Sequence, residues 1–215
     1  MIQIERFTCN MLGENCYVVS DETKECVIID CGALYDEENS AIADYIKGNG
    51  LKPVHLLVTH GHLDHNFGNA MILEKYGLKP ELSACDERLV NNLSKQAEQF
   101  YQMTLNIPTP PIGRLFEHEG ETVTFGSHQF TVIETPGHSR GSVCYYCEQE
   151  QAIFTGDTLF QNSIGRTDLG DGSMMQIIQS LRILAQLPDQ TRVFPGHGAA
   201  TTIGQELAHN PYMDR

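Results

Sequence analysis

Residues 59 to 65 read Thr59-His60-Gly61-His62-Leu63-Asp64-His65, directly after the apolar run Leu56-Leu57-Val58. His60, His62, Asp64 and His65 fall within six positions, with no cysteine among them. Imidazole and carboxylate donors together suit zinc or iron. An accidental cluster is the alternative, because a lone buried histidine is more often a hydrogen-bonded core residue than a ligand. Four such groups in one turn are another matter. Exposed, the imidazoles would repel one another when protonated; buried without a cation, they would need many polar partners.

Three more candidate donors lie outward from this stretch, each beside a glycine at the end of an apolar run. His138 follows Phe130-Thr-Val-Ile133 in Glu134-Thr-Pro-Gly-His138-Ser139, Asp157 lies in Ile153-Phe-Thr-Gly-Asp157-Thr158, and His197 lies in Val193-Phe-Pro-Gly-His197-Gly198. A metal site at a sheet edge needs this recurrence. The strand holds the backbone, and the glycine permits a sharp turn that aims the next side chain inward.

Around these runs the pattern predicts strands near 2–8, 14–20, 25–30, 54–58 and 81–84, with helices over 37–48, 68–76 and 86–102. Ala41, Ile42, Tyr45 and Ile46 form one face of the first helix. The second half predicts strands near 121–125, 128–134, 142–147, 151–155 and 191–194. Ser173 with Gln176, and Thr202 with Gln205, mark two further helix starts. Met174, Ile177, Ile178, Leu181, Leu184 and Ala185 face the core from the first of these. Two β-rich halves, each closing with helices, predict two sheets packed face to face with helices outside, as a single domain over 1–215. The segment 93–112, ending in the Pro-rich stretch Ile107-Pro-Thr-Pro-Pro-Ile112, is a candidate substrate flap or equally a solvated surface loop.

Composition narrows the function classes. The formal net charge is −14 at pH 7, which disfavours nucleic acid and anionic membranes as partners. No apolar run approaches membrane-spanning length, and the N-terminus Met1-Ile-Gln-Ile-Glu-Arg-Phe-Thr8 lacks an export signal. The seven cysteines are odd in number and sit mostly in strand-like runs, which fits free thiols in a reducing cytoplasm. Cys144 and Cys147 form a C-x-x-C, readable as a redox or zinc motif or as two buried cysteines of one strand. The alternation over 142–147 and the absence of a matching second pair favour the strand.

The H-x-H-x-D-H run with its distant His, Asp and His resembles the metallo-β-lactamase superfamily across almost the whole chain. The resemblance implies an α+β fold, the four-layer αββα sandwich, with a two-metal site at one edge of the sheets. It implies that His60, His62 and His138 hold one divalent ion, that Asp64, His65 and His197 hold the other, and that Asp157 bridges them. Zinc is the expected metal, with iron and manganese tolerated by the same donors.

Gly156-Asp-Thr-Leu-Phe160 and Gly165-Arg-Thr-Asp168 look like the glyoxalase II branch, the hydroxyacyl-glutathione hydrolases, particularly their short bacterial relatives. That branch implies a small-molecule acyl-thiol substrate cleaved at its thioester. In the family mechanism two metals share a water and lower its pKa toward about 7. Asp64 would be the catalytic residue that orients the resulting hydroxide, and a thiolate leaves without a dedicated general acid. Arg166 occupies the family's basic substrate-binding position. Asp168 stands where the family has a tyrosine, and full-length glyoxalase II carries an added C-terminal domain where this chain stops at Arg215. Both departures leave the thiol carrier open.

A persulfide dioxygenase shares much of this motif set, including a Gly-Arg-Thr-Asp loop, and would hold one iron with His60, His138 and Asp157. A secreted β-lactamase, a nuclease, a lactonase and a non-catalytic binding module fit less well. Asp30 and Thr59 are candidate partners that orient ligands, or plain turn residues. Arg140 faces substrate or solvent. His55, His118, His128 and His209 read as surface or structural residues.

Overall fold

Antiparallel strands β1 (Gln3–Cys9), β2 (Glu14–Ser20) and β3 (Glu25–Ile29) open one six-stranded sheet. Strands β4 (Lys52–Leu57), β5 (Pro80–Ser83) and β6 (Arg114–Phe116) continue it in parallel, in the order β1-β2-β3-β4-β5-β6. Parallel neighbours need a crossover. Helix α1 (Asp36–Gly48) supplies it between β3 and β4, and α2 (Asn69–Tyr76) between β4 and β5. Helices α3 (Glu87–Val90) and α4 (Leu93–Tyr101) precede β6.

The second sheet contains β7 (Thr122–Phe125), β8 (His128–Glu134), β9 (Val143–Cys147), β10 (Ala152–Gly156), β13 (Arg192–Pro195) and β14 (Thr201–Thr202), in the order β14-β13-β10-β9-β8-β7. A small hairpin, β11 (Leu159–Phe160) with β12 (Ser163–Ile164), stands apart from both sheets. Helix α5 (Met174–Leu184) joins the parallel pair β10 and β13, and α6 (Ile203–His209) is the last helix of the described residues. The structure is a computed structural model and describes residues 1–214.

Strand sequences explain the layering. Successive side chains of a strand point to opposite faces, so a strand apolar at every position must be covered on both. Along β2, Tyr17 and Val19 enter a core shared with Phe125, Phe130, Tyr145 and Phe154 of the other sheet. Cys16 and Val18 face the other way, against Ile42 and Ile46 of α1 and Ile72 of α2. In the second sheet Cys144, Tyr146, Ile153 and Val193 meet Leu181 and Leu184 of α5 and Ile203 of α6. The result is the αββα sandwich. The same alternation settles the C-x-x-C: Cys147 lies in the inter-sheet core and Cys144 under the helices, so the two thiols face opposite layers. All seven cysteines are free, six of them buried.

The structure departs from the sequence pattern in a few elements. The single helix expected over 86–102 is broken at Asn91-Asn92 into α3 and α4. There the Asn92 side-chain amide donates to the carbonyl of Arg88 at 2.7 Å, a local bond that competes with the helical ladder. Strands β6, β11, β12 and β14 were not anticipated; each is only two or three residues long, too short for a periodic signal. Among the described residues, no helix is long and apolar enough to cross a membrane.

Candidate metal centre

Four loops meet at one edge of the sandwich, and backbone hydrogen bonds stitch them across the two sheets. The Val143 amide donates to Thr59 O at 2.9 Å, Asn15 to Gly196 O at 2.7 Å, and Gly196 to Gly156 O at 2.8 Å. The loop after β4 carries His60, His62, Asp64 and His65, the last two within a 3₁₀ turn, Leu63–His65. The loop after β8 carries His138, the end of β10 carries Asp157, and the end of β13 carries His197. Glycine is required at two of these positions for different reasons. Gly156 has φ +47° and turns the chain after β10, whereas a Cβ on Gly196 would collide with the Asp157 carboxylate and the His65 ring.

All seven sequence-predicted side chains converge. His62 Nδ1 lies 2.8 Å from His138 Nε2, which lies 3.2 Å from His60 Nε2. A second group has His197 Nε2 at 3.3 Å and His65 Nε2 at 3.8 Å from Asp64 Oδ2. Asp157 lies between the two groups. Its Oδ1 is 3.3 Å from His65 Nε2, and its Oδ2 is 3.5 Å from His138 Nε2 and 3.6 Å from His197 Nε2. Five of the seven are nearly inaccessible to solvent, and Asp157 and His197 line the open mouth.

Hydrogen bonds on the outer side of the rings decide which nitrogen faces inward with a lone pair. His138 Nδ1 donates to the Arg166 carbonyl at 2.8 Å. Thr59 Oγ1 donates to Asp30 Oδ2 at 2.6 Å, so at 3.1 Å it accepts from His60 Nδ1. His65 Nδ1 donates to Asp30 Oδ2 at 3.0 Å. The Nε2 atoms of His60, His65 and His138 therefore point inward as bare acceptors. Lone pairs brought this close repel unless a cation lies between them. His65 Nε2 and Asp157 Oδ1 are also buried without a hydrogen-bond partner. This donor set fits divalent metal ions.

Electrostatics agree with that fit. Burial, followed by the neighbouring imidazoles, holds His60 well below the usual imidazole range, and burial lowers His62 to about 4. Burial opposes charge on His65 too, but the Asp157, Asp64 and Asp30 carboxylates outweigh it and raise its pKa well above normal. Without a metal, proton charge on His65 would outweigh burial at Asp157 and hold it well below the usual carboxylate range. These carboxylates demand positive charge at the centre of the site. Bound metal supplies it, and the rings then remain neutral donors.

Several positioning residues carried no sequence signal. Asp86 accepts from the amides of Gly61 and Gly141, both at 2.7 Å, and from Ser139 Oγ at 2.6 Å, tying the His138 loop to the first cluster. Gln96 of α4 accepts from the Leu63 amide at 3.2 Å and donates to Gly61 O at 2.9 Å. Asn15 Nδ2 donates to Pro195 O and Gly198 O, both at 3.0 Å, and so grips the His197 loop from the opposite sheet. Asn15 follows Glu14 just before the apolar stretch Cys16–Val19, so the local pattern does not set it apart. Glu14 is wholly buried with neither oxygen hydrogen-bonded, and burial raises its carboxyl well above the usual range.

The mouth is an open cavity of about 240 Å³ whose walls include Leu12, Leu63, Tyr101, Arg166 and His197. Arg166 stands at its rim, with the guanidinium gripping Asp168 through bonds of 2.7 and 2.9 Å. Asp168 is thus the partner of Arg166. Of the other histidines, His55 bonds Glu81 at 2.6 Å and His128 is buried between carboxylates.

Residues 10–197 match the family model described as the metallo-beta-lactamase superfamily. Hydroxyacylglutathione hydrolase GloC of Haemophilus influenzae is 33% identical, covering 99% of both chains. The crystal structure of the BLEG-1 B3 metallo-beta-lactamase superposes with a TM-score of 0.90 at 33% identity, covering 98% of this chain and 99% of that one. That of TTHA1623 in a di-iron-bound form superposes at 0.84 with 35% identity, covering 97% of this chain and 100% of its own.

Proposed function

This chain belongs to the metallo-β-lactamase superfamily and is a metal-dependent hydrolase of that family; on this premise we propose that it cleaves the thioester of a small acyl-thiol. The observation that carries the reading is the meeting of two three-donor groups at one shared carboxylate, Asp157. The similarity to GloC supplies the choice of a thioester, since the Gly165-Arg-Thr-Asp168 loop is common to the persulfide dioxygenases.

His60, His62 and His138 would hold one ion, and Asp64, His65 and His197 the other, with Asp157 shared. Zinc is the proposed metal; the same donors accept iron, the metal of the TTHA1623 structure. Two bound divalent ions would supply Lewis acidity toward the carbonyl and lower the pKa of a shared water toward about 7. The chain's own residues do the rest. The Asp64 carboxylate, held below its usual range by His65 and a bond from His197 despite burial, stays ionised and orients the attacking oxygen. Oxygen adds to the carbonyl carbon, the C–S bond breaks, and carboxylate, thiolate and protons are the products. A thiolate needs no protonation to depart, which suits a site with no Ser-His-Asp triad.

A mononuclear persulfide dioxygenase would use His60, His138 and Asp157 alone and leave the convergence of Asp64, His65 and His197 without a role. Metal analysis of purified protein, paired with lactoylglutathione hydrolysis, separates the two. Two metals per chain and thioester cleavage are expected. One iron per chain with oxygen consumption sinks the thioesterase reading.

A further inference from the structure

Of the polar side chains that line the metal mouth, three are not candidate ligands: Gln96, Arg166 and Tyr101. Two of them are already committed within the protein. Gln96 Nε2 donates to Gly61 O and Leu89 O, both at 2.9 Å, and its Oε1 accepts from the Leu63 amide at 3.2 Å. Arg166 spends Nε and Nη2 on the Asp168 carboxylate. Tyr101 is different. Among the described residues, no hydrogen bond reaches its hydroxyl. The core phenols of Tyr17 and Tyr145, by contrast, donate to Pro195 O at 2.7 Å and to Val58 O at 2.8 Å.

The backbone and its helix hold Tyr101 at the mouth. Gln102, a non-glycine residue at φ +54°, ends α4 directly after it. The Gln102 and Met103 amides donate back to Glu98 O at 3.2 Å and Ala97 O at 3.1 Å. Such a strained conformation persists only where its surroundings hold it, and it clusters at functional positions. Leu93 and Ala97 of α4 pack with Leu63, the residue between His62 and Asp64, and with Ile107 of the loop that follows. The helix that carries Tyr101 is thereby fastened to the first ligand loop. Burial, followed by Asp64, pushes the Tyr101 phenol above its ordinary value against the pull of Arg166, so it keeps its proton at neutral pH. It has a proton to donate and no acceptor within the protein.

We propose that Tyr101 is a catalytic residue whose hydroxyl donates a hydrogen bond to the thioester sulfur as it departs. The assignment rests on the thioesterase reading and adds the leaving-group contact to it. With the carbonyl carbon beside Asp64, the sulfur lies one bond away within a mouth of about 240 Å³. Tyr101 is the uncommitted donor on that wall. As the C–S bond breaks, its electron pair stays on sulfur, and the phenol shares its proton without surrendering it. A neutral thioester sulfur is a weak acceptor and a thiolate a strong one. The bond therefore gains strength only in the transition state, which raises kcat and leaves KM nearly unchanged.

The test uses the metal-loaded protein and acetyl thioesters of an arylthiol, a mercaptoacetamide and an alkanethiol, in order of falling thiol acidity. For each ester the kcat of the wild type is divided by that of Tyr101→Phe. The ratio is expected near one for the arylthiol, whose thiolate is stable without help. It should reach about 10- to 100-fold for the alkanethiol, the factor for one hydrogen bond to a charged group. KM should match between the two proteins throughout. Near-normal turnover of the arylthiol ester also shows that the variant is folded and metal-loaded. A ratio that stays constant along the series puts the hydroxyl elsewhere than on sulfur and overturns the proposal, as does a loss carried by KM alone. A wild type that cleaves none of the esters sinks the thioesterase reading and this assignment with it; cleavage with a constant ratio removes the assignment alone.

Discussion

The two ends of the sandwich each carry a buried cluster of histidine and carboxylate, and they differ in how it closes. At the end away from the metal loops, His128 opens β8, with Nδ1 3.0 Å from Asp21 and Nε2 3.1 Å from Glu150. Asp21 also accepts from the Ser127 amide at 2.7 Å and the Thr23 amide at 2.9 Å. Each ring nitrogen there has a partner within the protein. At the other end the outer nitrogens of His60, His65 and His138 are equally well partnered, but their Nε2 atoms turn toward further acceptors, among them His62 Nδ1 and the Asp157 carboxylate. The lesson concerns donors and acceptors. A cluster that pairs off its own groups holds strands together, and one that turns acceptors on acceptors calls for a cation.

Breaking the shared carboxylate should give the largest effect. Asp157→Ala is expected to leave fewer than two metals per chain and to lower kcat/KM roughly 10³-fold, the loss of several kcal/mol of charge stabilisation. Metal analysis and thioester kinetics measure both; full occupancy with near-normal turnover would remove Asp157 from the centre. Asp30→Ala acts one layer out, where it frees the His65 ring and the Thr59 hydroxyl. It should weaken metal binding about 10- to 100-fold by competition with a chelating dye. Unchanged affinity would make Asp30 a plain turn residue.

Asn15→Ala releases the grip on the His197 loop without touching a donor. About a tenfold weakening is expected at only one of two sites in a cobalt titration. Equal weakening at both would show general destabilisation in its place. The smallest effect belongs to the far cluster. Bonds from Thr23, His128 and Ser127 outweigh burial at Asp21 and hold its pKa far below the ordinary value. A depressed carboxylate contributes stability above its unfolded pKa, about 4, and loses it as pH falls through the folded value. Asp21→Asn should therefore lower Tm by a few degrees at pH 7 with metal content unchanged, and the gap should narrow below about pH 4. A gap that widens in acid contradicts this sign.

Residues differed in how plainly the chain advertised them. The seven converging side chains were legible as candidates because each sits beside a glycine or in a dense run at the end of an apolar strand. The layers were legible because strands apolar on both faces must be covered twice. Asp86, Gln96 and Asn15 were not. Each acts through backbone groups of a loop distant in the chain: Asp86 on Gly61 and Gly141, Asn15 on Pro195 and Gly198 across the sheets. An aspartate that opens a helical stretch looks the same in sequence whether it caps a helix or grips another loop. The break at Asn92 was equally hidden, since a side chain competing for one backbone carbonyl leaves the periodic pattern almost intact.

By itself, then, the sequence determined which residues can bind metal and which strands are buried, because donor chemistry and strand alternation are local properties. Only the tertiary structure decided which ring nitrogen faces inward, that Asp157 stands between two groups, and that Leu12 and Tyr101 line the mouth. Those facts depend on angles and distances of a few ångströms between segments far apart in the chain, set by the packing of two sheets.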